Sequence, residues 1–338
     1  MDIDQLPTPA LVIESTALDR NLDRMSTAHP GPALRPHVKA HKCTALAAVQ
    51  RANGHTGFTC ATPREVLGMA RVGLGDDLLL ANESLDPARL RAMAELEPDV
   101  TVAIDSDATR RAAVEAGIRR VVVDVDVGLP RCGVAPDRAG VLADDARAAG
   151  LDVRGVMGYE GHLMMLTDRS EQAERVDTAM TLLRRAHDVV GGDIVSAGGT
   201  GTFDLHDDTG VTEIQAGSYA LMDTQYGTLG LPFEQAVYVV GTVISVHDRY
   251  AVADVGLKAL GMDHGDPDVL VGDEDETRTV WFCSDEHVTF STTSIANVTS
   301  PAIGERVWVV PAHVDPTMAM HATAWLVRDR EVIDRWPI

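Results

Sequence analysis

The feature that most constrains the fold is a regular alternation of short apolar runs and amphipathic stretches between Leu34 and Gly217. A short apolar run is typical of a buried strand, and a longer stretch with apolar residues at helical spacing is typical of a surface helix. Repeated strand–helix alternation favours parallel strands covered by helices. The predicted strands are Leu34–Lys39, Gly57–Ala61, Asp77–Ala81, Val100–Asp105, Val121–Val127, Gly155–Tyr159, Ile194–Ala197 and Glu213–Gly217.

The stretches between these strands carry the punctuation of helices. Several have Pro near the first turn and Gly just past the end. The predicted helices include Pro63–Val72, Pro87–Leu96, Asp107–Ala116, Pro136–Ala149 and Arg169–Val190. Eight strand–helix units predict an α/β fold, a (β/α)8 TIM-like barrel. A doubly wound open sheet is the alternative, but no GxGxxG motif follows the first strand.

The pattern changes after Leu231-Pro232 to short strands separated by turns. We therefore predict a barrel domain over residues 16–232 and a smaller, mainly β domain over residues 233–338. The acidic run at residues 272–276 predicts a solvated hairpin tip. The predicted strands of this second domain are Val237–Val246, Ala251–Val255, Thr279–Trp281, Thr289–Phe290, Arg306–Val310 and Thr323–Val327.

Composition and charge exclude several classes of partner. The formal net charge of -22 over 338 residues argues against nucleic acid and anionic membrane surfaces. No apolar run approaches the roughly 18 residues of a membrane helix, and the N-terminus lacks a signal-peptide pattern. The four cysteines form no CxxC pair, which predicts a reduced cytoplasmic location.

Lysine is scarce in this chain, and two of its three lysines, Lys39 and Lys42, lie in the segment Leu34–Lys42 beside two histidines. A lysine that forms a Schiff base needs a partly desolvated pocket that lowers its pKa. Such a pocket is built where a barrel strand ends. A basic turn that binds an anion, or nothing, is the other interpretation, and spacing alone leaves both open.

The segment Arg35-Pro36-His37-Val38-Lys39 resembles the cofactor-lysine segment of the D-threonine aldolase and D-serine dehydratase family. Those enzymes use pyridoxal phosphate and have an alanine-racemase-like N-terminal domain, known as fold type III. The resemblance implies that Lys39 holds pyridoxal 5'-phosphate as a Schiff base and that the chain forms a homodimer. It also implies that a strand at Thr8–Glu14 joins the β domain, which then includes residues 1–15.

Two further segments at barrel-strand ends carry candidate residues. Arg131 lies between glycines in Gly128–Gly133, and the resemblance places its guanidinium beside the phenolic oxygen of the cofactor; a surface arginine in a turn is the alternative. Tyr159 ends the sixth predicted strand and His162 follows it, at positions where an aromatic ring can pack on a pyridine ring. The family has a histidine six residues after the tyrosine as the base for the β-hydroxyl, but Met165 stands there. Either His162 transfers that proton, or the reaction differs and His162 is structural.

The glycine-rich segment at residues 196–202 follows the seventh predicted strand. Such a loop can present backbone N–H groups and hydroxyls to a phosphate dianion, although many glycine-rich loops are plain turns. In alanine racemases an arginine faces the pyridine nitrogen where this chain has Gln215, a neutral group. The cofactor contacts that the resemblance implies here are Gly199, Thr200, Gly201, Gln215, Gly217, Ser218 and Tyr219.

A His-x-Asp pair, His313 and Asp315, follows the predicted strand Arg306–Val310. On extended chain, residues i and i+2 face the same side, so both could hold one ion. Two protein ligands leave positions for water and substrate, as in a catalytic site. The motif alone is common by chance, but the resemblance places the family's divalent ion here. D-serine dehydratases have His-x-Cys; an aspartate oxygen favours Mg²⁺ or Mn²⁺ over Zn²⁺.

Taken from Thr8 to the His313 motif, the resemblance implies an aldolase that cleaves a small β-hydroxy-D-amino acid such as D-threonine to glycine and an aldehyde. One alternative is a dehydratase of D-serine or 3-hydroxy-D-aspartate, in which Lys39 removes the α-proton and a 2-oxo acid and ammonia are released. A non-catalytic carrier of pyridoxal phosphate is an alternative of another class. Lys258 is expected to have a structural or dimer-contact role, and His287 is a possible substrate contact.

Overall fold

The computed structural model describes residues 1–97, 99–272, 276–294 and 300–338. The strands are β1 (Ala10–Glu14), β2 (Gly57–Cys60), β3 (Asp77–Leu80), β4 (Thr101–Ile104), β5 (Arg120–Asp124), β6 (Asp152–Met157), β7 (Ile194–Ala197), β8 (Glu213–Ile214), β9 (Val237–Val246), β10 (Tyr250–Ala253), β11 (Asp268–Val271), β12 (Val280–Cys283), β13 (Val288–Ser291), β14 (Arg306–Val310), β15 (Thr323–Arg328) and β16 (Glu331–Pro337). The α-helices are α1 (Ser15–Ala28), α2 (Thr44–Ala52), α3 (Pro63–Arg71), α4 (Pro87–Ala94), α5 (Asp107–Ala116), α6 (Ala139–Ala148), α7 (Arg169–Val190), α8 (Thr224–Gly227) and α9 (Val314–Met320). Short 3-10 helices occur at Ile3–Gln5, Gly31–Ala33, Val38–Ala40, Pro136–Arg138, Gly161–Leu163 and Ser218–Ala220.

The chain divides into two compact units. The barrel unit comprises Met25–Lys39 and Leu46–Gly217, and the β unit comprises Met1–Arg24, Ala40–Ala45 and Ser218–Ile338. In the barrel unit, strands β2 to β8 run parallel and are neighbours in chain order, as in a curled, TIM-like half-barrel. The predicted TIM-like barrel with a β-rich C-terminal part is confirmed. The predicted domain bounds at residues 16 and 232 stay a prediction about which parts fold as domains.

One segment links the two edges of this parallel sheet. Leu34 pairs in parallel with Ile214 of β8, and His37 pairs in parallel with Thr59 of β2. Because both pairings are parallel, the segment runs in the same direction as the strands. Lys39, at its end, therefore lies at the carboxyl ends of the strands, which is the end that carries the active site in TIM barrels.

Two of the predicted strands at the edges of this sheet differ from the structure. Leu34–Lys39 was predicted as one strand, but it makes only isolated bridges and then turns into the 3-10 helix Val38–Ala40. Pro36 has no N–H to donate to a neighbouring strand, and proline is rarely accommodated inside a sheet. The predicted strand Glu213–Gly217 is also shorter, since only the two residues of β8 are in strand conformation.

Alternating side chains sort the barrel strands into two layers. Leu79, Ala103 and Val122 belong to one small buried cluster, together with Met157 and Ile194. The residues on either side of them in β3, β4 and β5 belong to a second, larger cluster that includes the apolar faces of the helices. This follows from the period of two along a strand, which sends neighbouring side chains to opposite faces.

The helices around the sheet begin and end where the sequence punctuation predicts. Thr62 precedes Pro63 and caps α3 by accepting the N–H of Glu65. Ser106 caps α5 by accepting the N–H of Thr109, and Gly117 ends that helix with φ of +85°. Side-chain caps of this kind satisfy backbone groups that the helix leaves unpaired.

The β unit is built on a mainly antiparallel sheet in the order β12-β13-β10-β9-β1-β15-β16, with β14 paired to β9 and β11. The N-terminal strand β1 pairs antiparallel with β9 and parallel with β15, so it joins the β unit as the resemblance implied. Strands β11 and β16 were not predicted from the sequence. Strand β16 is mostly exposed and therefore lacks an apolar run. The predicted acidic hairpin tip lies mainly at residues 273–275, outside the described residues.

The described part of the chain contains no helix that is both long and apolar enough to cross a membrane.

Candidate active site

The backbone around Lys39 is held in a tight turn. Lys39 is half-buried in the 3-10 helix Val38–Ala40, and its N–H donates to Nδ1 of His37 at 3.4 Å. The N–H of His37 in turn donates to the carbonyl oxygen of Ala216 at 3.0 Å. Lys39 thus sits on backbone that is fixed to the end of β8, which is what positioning of a reactive group requires.

Arg131 and Tyr159 are brought together at the carboxyl ends of β5 and β6. The guanidinium carbon of Arg131 lies 5.3 Å from the centre of the Tyr159 ring, within the range of a cation–π contact. The turn after Arg131 requires Gly133: its φ is +113°, and an added Cβ would lie 2.6 Å from the backbone nitrogen of Asp126. The sequence-predicted pair therefore forms a cationic and aromatic surface on the barrel unit.

The glycine-rich loop after β7 is shaped by its lack of side chains. A Cβ at Gly199 would lie 2.8 Å from Sδ of Met164, and a Cβ at Gly201 would lie 2.2 Å from the Met164 carbonyl oxygen. The Gly201 carbonyl accepts hydrogen bonds from Arg169 at 2.9 Å and Gln172 at 3.2 Å. The acceptor at Gly201 is thus occupied by protein donors. Because its glycines have no side chains, the loop lets an anion approach the backbone closely, which the phosphate of the expected cofactor would require.

The remaining predicted cofactor contacts divide between the two units. Gln215 Nε2 donates to the hydroxyl of Ser196 at 2.8 Å, which ties this side chain to the start of the loop. Gly217 ends the barrel unit, whereas Ser218 and Tyr219 belong to the β unit. Tyr219 is fully buried there, and its ring centre lies 5.6 Å from that of Phe233.

His162 is exposed just after β6, near the loop that carries Arg131. An added Cβ at Gly128 would lie 3.2 Å from Cε1 of His162, so the ring packs on this glycine. The pKa of His162 is lowered by partial burial and then by the positive charge of Arg175, against weaker opposite effects of Glu160 and Asp126. A lowered pKa keeps the imidazole neutral at pH 7, the form that can accept a proton.

An acidic cluster at the carboxyl ends of β3, β4 and β5 was missed from the sequence. One ligand-type atom from each of Glu83, Asp105 and Cys132 lies within 4.8 Å of the others. Burial and the neighbouring Glu83 raise the pKa of Asp124 to about 8. Hydrogen bonding to Glu83 and burial raise the pKa of the Cys132 thiol to about 11. Acidic residues in or just after the last residues of three successive predicted strands were the available signal.

In the β unit, the predicted metal ligands His313 and Asp315 do approach each other. His313 Nε2 lies 3.6 Å from Oδ2 of Asp315, and Ser218 Oγ donates to the same oxygen at 3.5 Å. Two donor atoms that share one ion at about 2.1 Å are roughly 3.0–3.6 Å apart. The pair therefore has the separation and the chemistry of two ligands of a single divalent ion.

Asp263 is a residue of this second cluster that the sequence did not reveal. Its Oδ2 lies 2.7 Å from Nδ1 of His313, and the ring of His264 stacks on that of His313 with centres 3.8 Å apart. A carboxylate on Nδ1 fixes the proton there and leaves Nε2 as the lone-pair donor. Burial lowers the pKa of His313, but the hydrogen bonds and charges of Asp315 and Asp263 outweigh it and raise the pKa. No sequence signal joins residues 50 positions apart.

Lys258 and His287 lie at the surface of the β unit. Lys258 Nζ lies 2.9 Å from Glu286 and 3.7 Å from Asp285. Its structural or dimer-contact role stays a prediction. His287 is exposed, and its carbonyl accepts the N–H of Ser284 at 2.8 Å in a tight turn.

The fold and these residues define a class, the fold-type III enzymes built on an alanine-racemase-like barrel. The sequence profile of the alanine racemase N-terminal domain matches residues 13–225, and that of a putative serine dehydratase domain matches residues 236–327. The chain therefore belongs to the alanine racemase N-terminal domain family, in its D-threonine aldolase and D-serine dehydratase branch, and it is an enzyme of the lyase class.

Individual relatives agree with this membership along the whole chain. The chain is 34% identical to a D-threonine aldolase of Arthrobacter sp, covering 99% of this chain and 92% of the relative. It is 31% identical to a 3-hydroxy-D-aspartate aldolase of Paracoccus denitrificans (strain Pd 1222), covering 100% and 93%. The crystal structure of D-threonine aldolase from Filomicrobium marinum matches with a TM-score of 0.90 at 32% identity, covering 99% and 95% of the two chains.

Proposed function

We propose that this enzyme is a pyridoxal phosphate- and divalent metal-dependent aldolase that cleaves a β-hydroxy-D-amino acid, such as D-threonine, to glycine and an aldehyde. The observation that carries the proposal is the pair His313 Nε2 and Asp315 Oδ2, 3.6 Å apart, in a chain that also carries the Lys39 segment. The names of its aldolase relatives support the same reaction class.

The barrel unit supplies most of the groups for the cofactor, and Ser218 and Tyr219 come from the β unit. Lys39 would hold it covalently, Arg131 would stabilise the negative charge of its phenolic oxygen through a permanent cation, and Tyr159 would pack against its ring. When bound, the pyridine ring takes up the electron pair released as the Cα–Cβ bond of the substrate breaks. The phosphate would lie on the loop, with Gln215 as the neutral neighbour of the ring nitrogen. The loop and its flank would supply Gly199, Thr200, Gly201, Gly217, Ser218 and Tyr219.

His162 is the proposed base for the proton of the β-hydroxyl. It stands in for the histidine that the family pattern would have at Met165, and its lowered pKa favours the neutral ring at pH 7. As the O–H proton passes to the imidazole, the C–O bond would become the carbonyl of the aldehyde, and the Cα–Cβ electron pair would stay with the glycine part of the substrate, where the bound cofactor takes it up. A proton from the solvent would then complete glycine at the α-carbon, and the imidazolium would return its proton to the solvent.

His313 and Asp315 are the proposed ligands of the ion. An ion at these residues would lower the pKa of a hydroxyl bound to it. The ligand set of one imidazole and one carboxylate oxygen favours Mg²⁺ or Mn²⁺ over the Zn²⁺ that a thiolate ligand would prefer. We also propose a cytoplasmic homodimer. The cysteines form no disulfide within the part of the chain that the structure describes, which fits a reducing compartment. Light scattering of the purified protein tests the dimer.

The second candidate is a dehydratase acting on D-serine or 3-hydroxy-D-aspartate. Two observations favour it: the serine dehydratase profile that covers residues 236–327, and Met165 at the place of the expected histidine. In that reaction Lys39 would remove the α-proton and the β-hydroxyl would leave as water. The substrate would be a small molecule in either case, and the charge of -22 disfavours nucleic acid as a partner.

One product analysis separates the alternatives. The protein is incubated with D-threonine and, separately, with D-serine, and the products are measured. We expect glycine and acetaldehyde from D-threonine. Release of 2-oxobutanoate and ammonia without glycine would support the dehydratase, and no product from either substrate would support a non-catalytic carrier.

The metal part of the proposal is tested on the same assay. After exhaustive chelation, glycine formation should stop and should return best with Mg²⁺ or Mn²⁺. His313→Ala and Asp315→Ala should lose turnover while borohydride still fixes the cofactor to Lys39. His247→Ala, which removes an exposed histidine elsewhere in the β unit, is the matched control. Full activity in the chelated protein would refute the metal requirement.

A further inference from the structure

Glu160 is a fully buried carboxylate that the proposed chemistry does not use. It follows Tyr159 in the chain, has 0% of its surface exposed, and belongs to the barrel unit. A buried carboxylate remains charged only when several donors satisfy it. Its partners are therefore informative about its role.

Three donors converge on this carboxylate, and two of them come from the glycine-rich loop. Thr202 Oγ1 donates to Oε1 at 2.7 Å, and the N–H of Gly198 donates to Oε2 at 3.3 Å. The third is His206, whose Nε2 lies 3.2 Å from Oε1 and which is only 4% exposed. Burial opposes ionisation of Glu160, but the hydrogen bond and charge of His206 and the hydrogen bond of Thr202 outweigh it and lower the pKa of Glu160.

These contacts fix the path of the loop. Because the Thr202 hydroxyl gives its hydrogen to Glu160, its oxygen is available to accept the N–H of Gly199, at 3.3 Å. At Gly198 the backbone is left-handed, with φ of +81°, and an added Cβ would lie 3.1 Å from His206 Nε2. The first two glycines of the loop are thus drawn inward, toward Glu160 and Thr202.

We propose that Glu160 is the positioning residue of the phosphate loop, with His206 as its support. By drawing Gly198 and Thr202 inward, the carboxylate shapes the turn between them so that Thr200 and Gly201 face the phosphate of the cofactor. Glu160 itself does not touch the cofactor. The inference rests on the proposed function and adds residues that determine affinity for one part of the cofactor, its phosphate.

The substitution that tests this is Glu160→Gln. An amide keeps the size of the carboxylate but has one acceptor oxygen, and its NH₂ group must then face one of the three donors. The loop should lose its shape while the Lys39 segment and the Arg131–Tyr159 pair stay unchanged. The effect should therefore fall on pyridoxal phosphate and spare pyridoxal, which lacks the phosphate.

The experiment compares those two probes. The full-length protein is freed of cofactor and titrated with pyridoxal phosphate and with pyridoxal, and binding is followed by the visible absorbance of the lysine-bound form. The measured quantity is the ratio of the two dissociation constants, pyridoxal over pyridoxal phosphate. We expect Glu160→Gln to lower this ratio roughly 10- to 100-fold, the order expected when charge-assisted hydrogen bonds are lost. We expect His206→Gln to lower it in the same direction.

Glu213→Gln is the matched control. Glu213 is also a buried glutamate of the barrel unit, and it is paired with Arg35 at 2.8 Å. The same change of chemistry there should leave the ratio intact. An unchanged ratio in folded Glu160→Gln would overturn the inference. A wild-type ratio near one would overturn the phosphate-loop assignment of the proposed function itself, and this inference with it.

A milder pair of variants decides the matter if Glu160→Gln does not fold. Thr202→Val removes the hydroxyl that links Glu160 to Gly199, whereas Thr202→Ser keeps it. The proposal expects a reduced ratio in the valine variant and a near-wild-type ratio in the serine variant. Equal ratios in the two variants would contradict it.

Discussion

Two clusters of buried charge, one around Arg35 and one around Asp124, lie at opposite ends of the parallel sheet in the barrel unit and are built in opposite ways. At the starting ends, Arg35 donates to Glu213 at 2.8 Å and to the carboxylate of Asp77 at 2.6 Å, so each acid faces a cation. At the carboxyl ends, Asp124 and Glu83 lie together with further acidic groups, and burial with this crowding raises the pKa of Asp124 to about 8.

This contrast indicates that the charges around Arg35 serve stability, whereas those around Asp124 belong to the catalytic face. A satisfied buried pair such as Arg35 with Glu213 holds strands together, and removing one partner leaves an uncompensated charge. Crowded carboxyl groups do not hold strands together in this way. Groups with strongly shifted pKa values cluster where catalysis occurs. In TIM barrels the carboxyl ends are the catalytic face and the starting ends serve stability. Substitutions at the two ends should therefore affect different measurements.

The largest expected effect is at the carboxyl ends. Lys39→Ala should reduce glycine formation by about 10⁴-fold or more, because the residue that holds the cofactor is lost and enzymes typically accelerate reactions by at least 10⁶-fold. Mass spectrometry after borohydride treatment of the wild type should find the cofactor on Lys39. Lys42→Ala is the control and should keep the label. A label on Lys42 or Lys258 would disprove the assignment.

A smaller effect is expected at His162. His162→Ala should lower glycine formation from D-threonine by roughly 100- to 10,000-fold, the range of general-base assistance. The free energy of unfolding should change little because the side chain is exposed. Steady-state rates and urea titrations on the same preparation measure both quantities. An unchanged rate would mean that another group accepts the proton, and His287 would be the next residue to replace.

At the starting ends of the strands, we expect substitutions to affect stability more than activity. Arg35→Met should lower the free energy of unfolding by about 3–5 kcal/mol, because Glu213 is left buried without its cation. The fraction that folds should still carry cofactor on Lys39. Arg89→Met, on an exposed arginine, is the control and should change stability by about 0.5 kcal/mol or less. Urea denaturation measures the difference, and equal losses in the two variants would erase the contrast between the ends.

The smallest effect concerns the pH dependence at the carboxyl ends. The folded-state pKa of Asp124 is raised from 3.8 to about 8, so the native protein keeps a proton that the unfolded chain releases. The associated stability is present at low pH and is lost as pH rises toward 8. From pH 6 to pH 8, the wild type should lose up to about 2 kcal/mol relative to Asp124→Asn. Parallel stability curves for the two proteins would contradict the raised pKa.

Local sequence signals predicted the strands that are buried on both sides and the amphipathic helices that cover them. Strands β3 to β7 are short and buried, and most of their predicted positions needed only trimming at the ends. The Leu34–Lys39 segment differs from the predicted strand because Pro36 has no N–H to donate, so the segment forms isolated bridges and no continuous strand. Strand β16 was not predicted because most of its residues are exposed, so the strand has no apolar run that would indicate it.

The residues of the candidate site also divide into those that local sequence patterns reveal and those that they do not. Residues of contiguous motifs, such as Arg131 with its glycines or the loop after β7, could be singled out from the sequence. Contacts between distant positions could not: His206 meets Glu160 at 3.2 Å and Asp263 meets His313 at 2.7 Å, and neither pair shares a motif. Polar contacts between distant positions are fixed by tertiary packing, which no local pattern encodes.

The segment between Leu34 and His37 has a consequence for biosynthesis. It follows helix α1 in the chain, yet one of its two neighbours, Ile214 of β8, is among the last residues of the barrel unit to leave the ribosome. Until then Leu34 lacks this partner, and the backbone before Lys39 is anchored on one side only. A nascent chain that ends before β8 should therefore retain little cofactor, which makes cofactor capture a reporter of when the barrel is complete.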